Sequence, residues 1–177
     1  MSLMKYIKSD LARLTKDVSV KSFFRWYFFS QGSTFPHDVW FRISQNCKKN
    51  ALKKYTIGLL AYIKERKLSY KYGIHANANM HVGVGLRIVH CDGIYLNCKS
   101  IGDNFTVFQN VTLGAGGDSG IPTVENNVTI YTGAVIVGDI ILHSGCVVGA
   151  NAYVDKDVPE NAIVVGCPAR IIKYLEK

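Results

Sequence analysis

His90 stands in the run Gly85-Leu86-Arg87-Ile88-Val89-His90-Cys91-Asp92-Gly93. An imidazole titrates near neutrality, so it can take a proton from a hydroxyl and give it back in one cycle. His90 follows the inward aliphatic Ile88 by two residues, at a point where the local repeat slips, and is expected to point outward. From spacing alone it is either a general base or a surface or intersubunit histidine. Cys91 does not join it as a nucleophile, because adjacent residues on a strand face opposite ways. A second feature is Gly114-Ala115-Gly116-Gly117, the start of a glycine-rich interruption of the repeat. Such insertions leave a scaffold as loops, and loops commonly build sites. His75, His81 and His143 show no compact spacing with His90, and Cys47, Cys91, Cys98, Cys146 and Cys167 form no metal-ligand pattern. No metal is expected, and the cysteines read as reduced thiols.

The element that positions these groups is set by a beat of six. Val124, Ile130, Ile136, Leu142, Val148 and Val154 recur at that interval, as do Ile101, Val107 and Leu113. Four residues after these aliphatics come Val128, Ala134, Ile140, Cys146 and Ala152. Helices repeat near 3.6 residues and strands near 2, so neither gives a strict period of six. Hexapeptide repeats build a parallel β-helix in which each hexad is a short strand and a turn, and three hexads make one coil. The inward aliphatics stack from coil to coil, so several coils are needed for a core. Ala76, Val82 and Ile88 keep the phase, which then slips before Ile101. Leu113 to Val124 takes 11 residues, so the beat breaks there as well.

At 177 residues, 48% hydrophobic, the chain reads as one domain with an appendage. Its net charge of +8 is uneven: residues 1–71 carry 15 Lys/Arg against 4 Asp/Glu, residues 72–177 carry 6 against 9. Residues 1–71 are expected to be a helical segment, with Ser9-Asp10 as an N-cap and with Gly32 and Pro36 as breaks. Residues 72–165 form the solenoid. Residues 166–177 are expected to be a loop and a short capping helix. No nucleic-acid motif accompanies the basic charge, so no nucleic-acid partner is expected. Residues 20–30 carry Phe23, Phe24, Trp26, Tyr27, Phe28 and Phe29 around Arg25. They read as a packed helix, with peripheral contact to an anionic membrane as the alternative. With no apolar run of spanning length and no signal peptide, the chain is expected to be cytoplasmic, with any membrane contact at the inner face.

Three stretches carry a resemblance. GVGLRIVHCDGIYLN, IGDNFTVFQNVTLGAGG and KDVPENAIVVGCPARII are similar to the serine acetyltransferase branch of the hexapeptide acyltransferases, over roughly residues 72–173. The resemblance implies a left-handed parallel β-helix, a homotrimer with sites between subunits, and transfer of acetyl from acetyl-CoA to a hydroxyl. It assigns His90 as the catalytic base. It places Gly114, Ala115, Gly116 and Gly117 along the CoA arm, with one backbone N–H at the thioester oxygen. It places Gly166, Pro168, Ala169, Arg170 and Lys173 near the nucleotide end, where the two cations would meet phosphates. Three positions depart from the family pattern. Val89 stands where an Asp precedes the base, His75 where an Asp pairs with it, and Gly120-Ile121 where an Arg-His pair precedes Pro122. A serine zwitterion would lack partners there. The expected acceptor is therefore a sugar hydroxyl on a surface-polysaccharide precursor, free or lipid-linked. The alternatives are L-serine in cysteine synthesis and a non-catalytic β-helix that serves as an assembly module.

Overall fold

The computed structural model describes residues 2–29, 34–47, 56–77, 79–117 and 120–176. Strands β1 (Ile74–Ala76) to β14 (Ala162–Val165) wind as a parallel solenoid of about five coils. The first sheet runs β1, β4 (Ile94–Leu96), β7 (Thr112–Gly114), β10 (Val135–Val137) and β13 (Tyr153–Val154). The second joins β2 (His81–Val82), β5 (Ser100–Ile101), β8 (Thr123–Val124) and β11 (Ile141–Leu142). The third joins β3 (Arg87–Ile88), β6 (Thr106–Val107), β9 (Thr129–Ile130), β12 (Val147–Val148) and β14. The parallel β-helix with N-terminal helices expected from the hexads is the observed fold.

The stacking explains why the beat matters. Leu96, Leu113, Ile136 and Val154 form one column, and Ile88, Val107, Ile130, Val148 and Val164 another. These side chains are almost wholly removed from water. Each small residue between them, such as Ala134 or Cys146, is also fully buried. At the corners, residues with left-handed backbone (Asn104, Asn127, Asn151 and Asn161 among them) turn the chain. A Cβ on Gly133 would come 2.1 Å from Asn151 Oδ1, so the stacked coil requires glycine there.

The two irregularities of the beat have distinct structural outcomes. Ile88 and Leu96 occupy equivalent places in successive strands although eight residues separate them, so the excess falls in the turn holding His90. Leu113 stacks on Ile136 after 23 residues, whereas Ile136 stacks on Val154 after 18. The extra five residues lie in the glycine-rich loop after β7.

The N-terminal segment contains α1 (Leu3–Ala12), α2 (Val20–Phe24) continuing into a π-helical turn (Arg25–Phe29), α3 (Phe35–Cys47) and α4 (Ile57–Tyr72). Two local expectations are corrected. Ser9 and Asp10 lie inside α1 rather than capping it; Asp10 is buried and accepts from Arg42 Nε at 2.8 Å. Pro36 does not break the pattern but sits in the first turn of α3, where a missing N–H costs nothing. Gly32 lies outside the described residues. The Asp10–Arg42 pair also fixes the helices to the solenoid. Arg42 donates to the carbonyls of Val82 and Gly83, and Asp10 accepts from the Leu86 N–H.

The chain end is a further correction. The short helix expected over 169–177 is instead β15 (Arg170–Tyr174), antiparallel to β14. Ile171, Ile172 and Tyr174 are β-branched or aromatic, and the open edge of β14 supplies a ready ladder. Among the described residues no helix is long and apolar enough to cross a membrane.

Candidate active site

The turn between β3 and β4 positions His90 at the corner where the third sheet passes into the first. Its side chain is exposed, as expected, and its imidazole has no hydrogen-bond partner among the described residues. The ring meets Phe108 edge-on at 6.2 Å, and Phe108 stacks on Tyr131 at 4.8 Å. The three rings form a ladder up one corner: Phe108 and Tyr131 stand at equivalent points, one residue past Val107 and Ile130, while His90 stands two residues past Ile88. Cys91 is half-buried against the core, with its thiol pushed upward by burial and by Asp92, which disfavours the thiolate a nucleophile needs.

The glycine loop lies at the next corner, where the first sheet passes into the second. Gly114 ends β7 and is buried, while Ala115, Gly116 and Gly117 are exposed. Gly117 has a left-handed backbone (φ 66°), and nothing lies within 4 Å of where its Cβ would be. That is bare backbone along which an acyl carrier's thin arm can lie. Within one chain, His90 and this loop fall at opposite ends of the paired strands β4 and β7.

Gly166 (φ 94°), Cys167, Pro168 and Ala169 form the turn between β14 and β15. Tyr153 anchors it, donating its N–H to the Gly166 carbonyl at 3.0 Å and accepting from the Ala169 N–H at 2.8 Å. Arg170 and Lys173 follow on β15, both exposed, and Arg170 donates to the Ala169 carbonyl at 2.7 Å. Arg170 borders an open hollow of about 490 Å³ with Asp155, Lys156 and Asp157. The sequence-derived residues therefore occupy three places: one corner low on the solenoid, the next corner at mid-height, and the top.

A fourth place was not anticipated. A cavity of about 300 Å³ lies between α4 and the first two strands of the first sheet. Tyr62, Arg66 and Tyr70 from the helix face His75, Tyr95, Asn77 and Asn97 across it. Its floor includes Glu65 and Ser69, behind which lies the buried His37. His37 Nδ1 is 3.2 Å from Asp38 and its Nε2 is 3.7 Å from Glu65 and 3.3 Å from Ser69. Burial alone would push the imidazole down, but the two carboxylates outweigh it and hold it protonated, up to about 9. Burial would raise Glu65, but its bonds to His37 and Ser69 hold it below the usual carboxylate range. The signal was available: Tyr62, Arg66 and Tyr70 recur every four residues on one helix face. His75 proves to be exposed, with Tyr70 at 6.0 Å and Tyr95 at 6.5 Å.

Among the described residues no group of histidines, cysteines or carboxylates could hold a metal ion. All five cysteines are unpaired.

The chain is similar to serine acetyltransferases. It is 36% identical over 128 residues to the enzyme of Bacillus pumilus, covering 70% of this chain and 58% of that protein. It is 35% identical over 130 residues to that of Buchnera aphidicola, covering 71% and 49%. The chain thus spans about half the length of the curated relatives it matches. Among solved structures, a serine acetyltransferase in complex with CoA superposes with a TM-score of 0.76 at 26% identity, over 97% of this chain and 70% of that one. The serine acetyltransferase of Vibrio cholerae gives 0.78 at 20% identity, over 99% and 67%. No family model matches. The likeness is thus to serine acetyltransferases, in sequence over about 130 residues and in fold over nearly the whole chain. A special closeness to polysaccharide O-acetyltransferases is not part of it.

Proposed function

We propose that the protein is an acetyl-CoA-dependent O-acetyltransferase. The carrying observation is an exposed His90, without a hydrogen-bond partner among the described residues, on a solenoid that superposes on a serine acetyltransferase in complex with CoA. Acetyl-CoA would supply an activated acetyl thioester. His90 would accept the acceptor hydroxyl's proton as its oxygen bonds to the acetyl carbon, and would return that proton to the departing thiolate sulfur. Backbone N–H groups of the glycine loop, residues 114–117, are the candidate donors to the thioester oxygen. Arg170 and Lys173 are the candidate partners for the carrier's phosphates.

A homotrimer fits this reading. His90 and the glycine loop sit at opposite ends of β4 and β7, so a neighbouring copy is needed to bring a base and a loop together. Light scattering after size-exclusion chromatography tests it. Contact of Phe24, Phe28 and Phe29 with an anionic membrane belongs to the proposal too, and co-sedimentation with phosphatidylserine vesicles tests it.

For the acceptor, the similarities favour L-serine over the sugar hydroxyl expected from the sequence. A sugar hydroxyl stays as the second reading because Val89, His75 and Ile121 stand where the resemblance expects carboxylates and an Arg-His pair for a zwitterion. The test is release of CoA thiol from acetyl-CoA with L-serine as sole acceptor. A catalytic efficiency of about 10⁴ M⁻¹s⁻¹ or more establishes the serine reading. Turnover with sugars alone transfers the proposal to the second. Absence of release with acceptors of both kinds points to a non-catalytic module.

A further inference from the structure

We infer that the cavity between α4 and the first sheet is a carbohydrate site that takes one neutral pyranose unit. Its volume of about 300 Å³ is at the lower end of small-molecule pockets and far exceeds what serine would fill. Three tyrosines, Tyr62, Tyr70 and Tyr95, line it, and each is roughly half-exposed. The negative face of such a ring attracts the weakly positive C–H bonds on one side of a pyranose. The cavity also offers groups for hydroxyls. Asn77 Nδ2 donates to Asn97 Oδ1 at 3.0 Å, which leaves the Asn97 amide donor unpartnered among the described residues. Arg66 donates to the Tyr62 and Tyr70 hydroxyls at 3.1 and 3.3 Å, which fixes both rings and leaves further guanidinium N–H donors.

The charge balance selects a neutral ligand. Glu65 is the cavity's carboxylate; its Oε1 accepts from Ser69 at 2.8 Å and faces His37 Nε2 at 3.7 Å, so its charge is already compensated from behind the cavity. With His37 protonated, the cations Arg66 and His37 match the anions Glu65 and Asp38. An amino acid's ammonium group would compete with His37 for that carboxylate, whereas a polyol needs none.

The place is suggestive as well. A Cβ on Gly114 would lie 4.0 Å from the Tyr95 ring, so the cavity borders the glycine loop. Its use as an acceptor site rests on the acyl-transfer reading; the binding itself does not.

The experiment is saturation-transfer NMR on the full chain with methyl α-D-glucopyranoside, methyl α-D-galactopyranoside and the methyl glycoside of N-acetylglucosamine, in the millimolar range. At least one probe should receive saturation, strongest at its ring C–H protons. Tyr95→Ala and Asn97→Ala should each weaken it by about tenfold or more. Tyr70→Ala, at a position 66% exposed, gives a variant that leaves the core untouched. His90→Ala should bind as the parent does. Absence of saturation for all three probes overturns the inference, as does undiminished transfer in a folded Tyr70→Ala/Tyr95→Ala variant. Displacement of the glycoside by L-serine also overturns it and makes the cavity an amino-acid site. Failure of CoA release with either acceptor class would sink the acyl-transfer reading and leave this result standing.

Discussion

His90 and His37 are opposites. One is exposed, with no hydrogen-bond partner among the described residues; the other is enclosed by two carboxylates. His90→Ala should therefore leave the melting temperature unchanged and lower turnover by at least about 100-fold, the usual span for loss of a general base. Near-normal turnover in the folded variant would remove His90 from the mechanism. His37 bears on stability. Its value rises from the ordinary 6.5 to about 9 in the folded chain, so protonation favours folding. That contribution is complete below about 6.5 and disappears as pH climbs through about 9. Thermal melts from pH 6 to 10 should show the parent losing stability relative to His37→Gln over that window. A constant difference between the two would mean that His37 carries no proton in the native state.

At the scale of elements, the strands were legible and the helices less so. Each hexad aliphatic had one possible direction, because a coil has only one inside, and the sequence repeats the choice many times. Ile130, fully buried between Val107 and Val148, shows what such a position contributes. Ile130→Ala should cost about 2–5 kcal/mol in denaturant unfolding, from lost burial and an unfilled gap. A loss below about 1 kcal/mol would mean that the column repacks. The helices carry no such repetition. Asp10 looked like a cap because nothing local announces a partner 32 residues away, Arg42. The tail looked helical because the edge it completes belongs to β14, not to its own residues. The cavity was hidden for the same reason: half its lining repeats every four residues on α4, and the other half comes from two coils. On β15, Arg170→Glu should raise the Michaelis constant for acetyl-CoA more than for a dephospho-CoA thioester. Equal rises would separate Arg170 from the nucleotide phosphate.

At the scale of the molecule, the solenoid gives each corner a separate column of functional groups. His90, Phe108 and Tyr131 climb one; Asn97 and the glycine loop climb the next. Within one chain the two columns stand at opposite ends of the strands between them, so on the proposed trimer reading activity should depend on assembly. If the trimer reading holds, dilution below the trimer's dissociation constant should abolish CoA release while the solenoid's circular dichroism persists. Full activity from a demonstrated monomer would place the whole site within one chain.

A solenoid also has two ends, and only one of them is finished by a strand that runs backwards. β15 lies antiparallel along β14, and Leu175 donates its N–H to the Asn161 carbonyl at 2.8 Å. A parallel coil is a template: its last edge offers the next coil every hydrogen bond that the coils below have used. Reversal spoils that offer, because a strand of the wrong direction does not present the parallel register an incoming coil would need. On the third sheet, β15 thus withholds from an incoming parallel coil the edge that β14 would otherwise present. Removing β15 would leave an edge that invites head-to-tail stacking, which closes on nothing and so runs on as a filament.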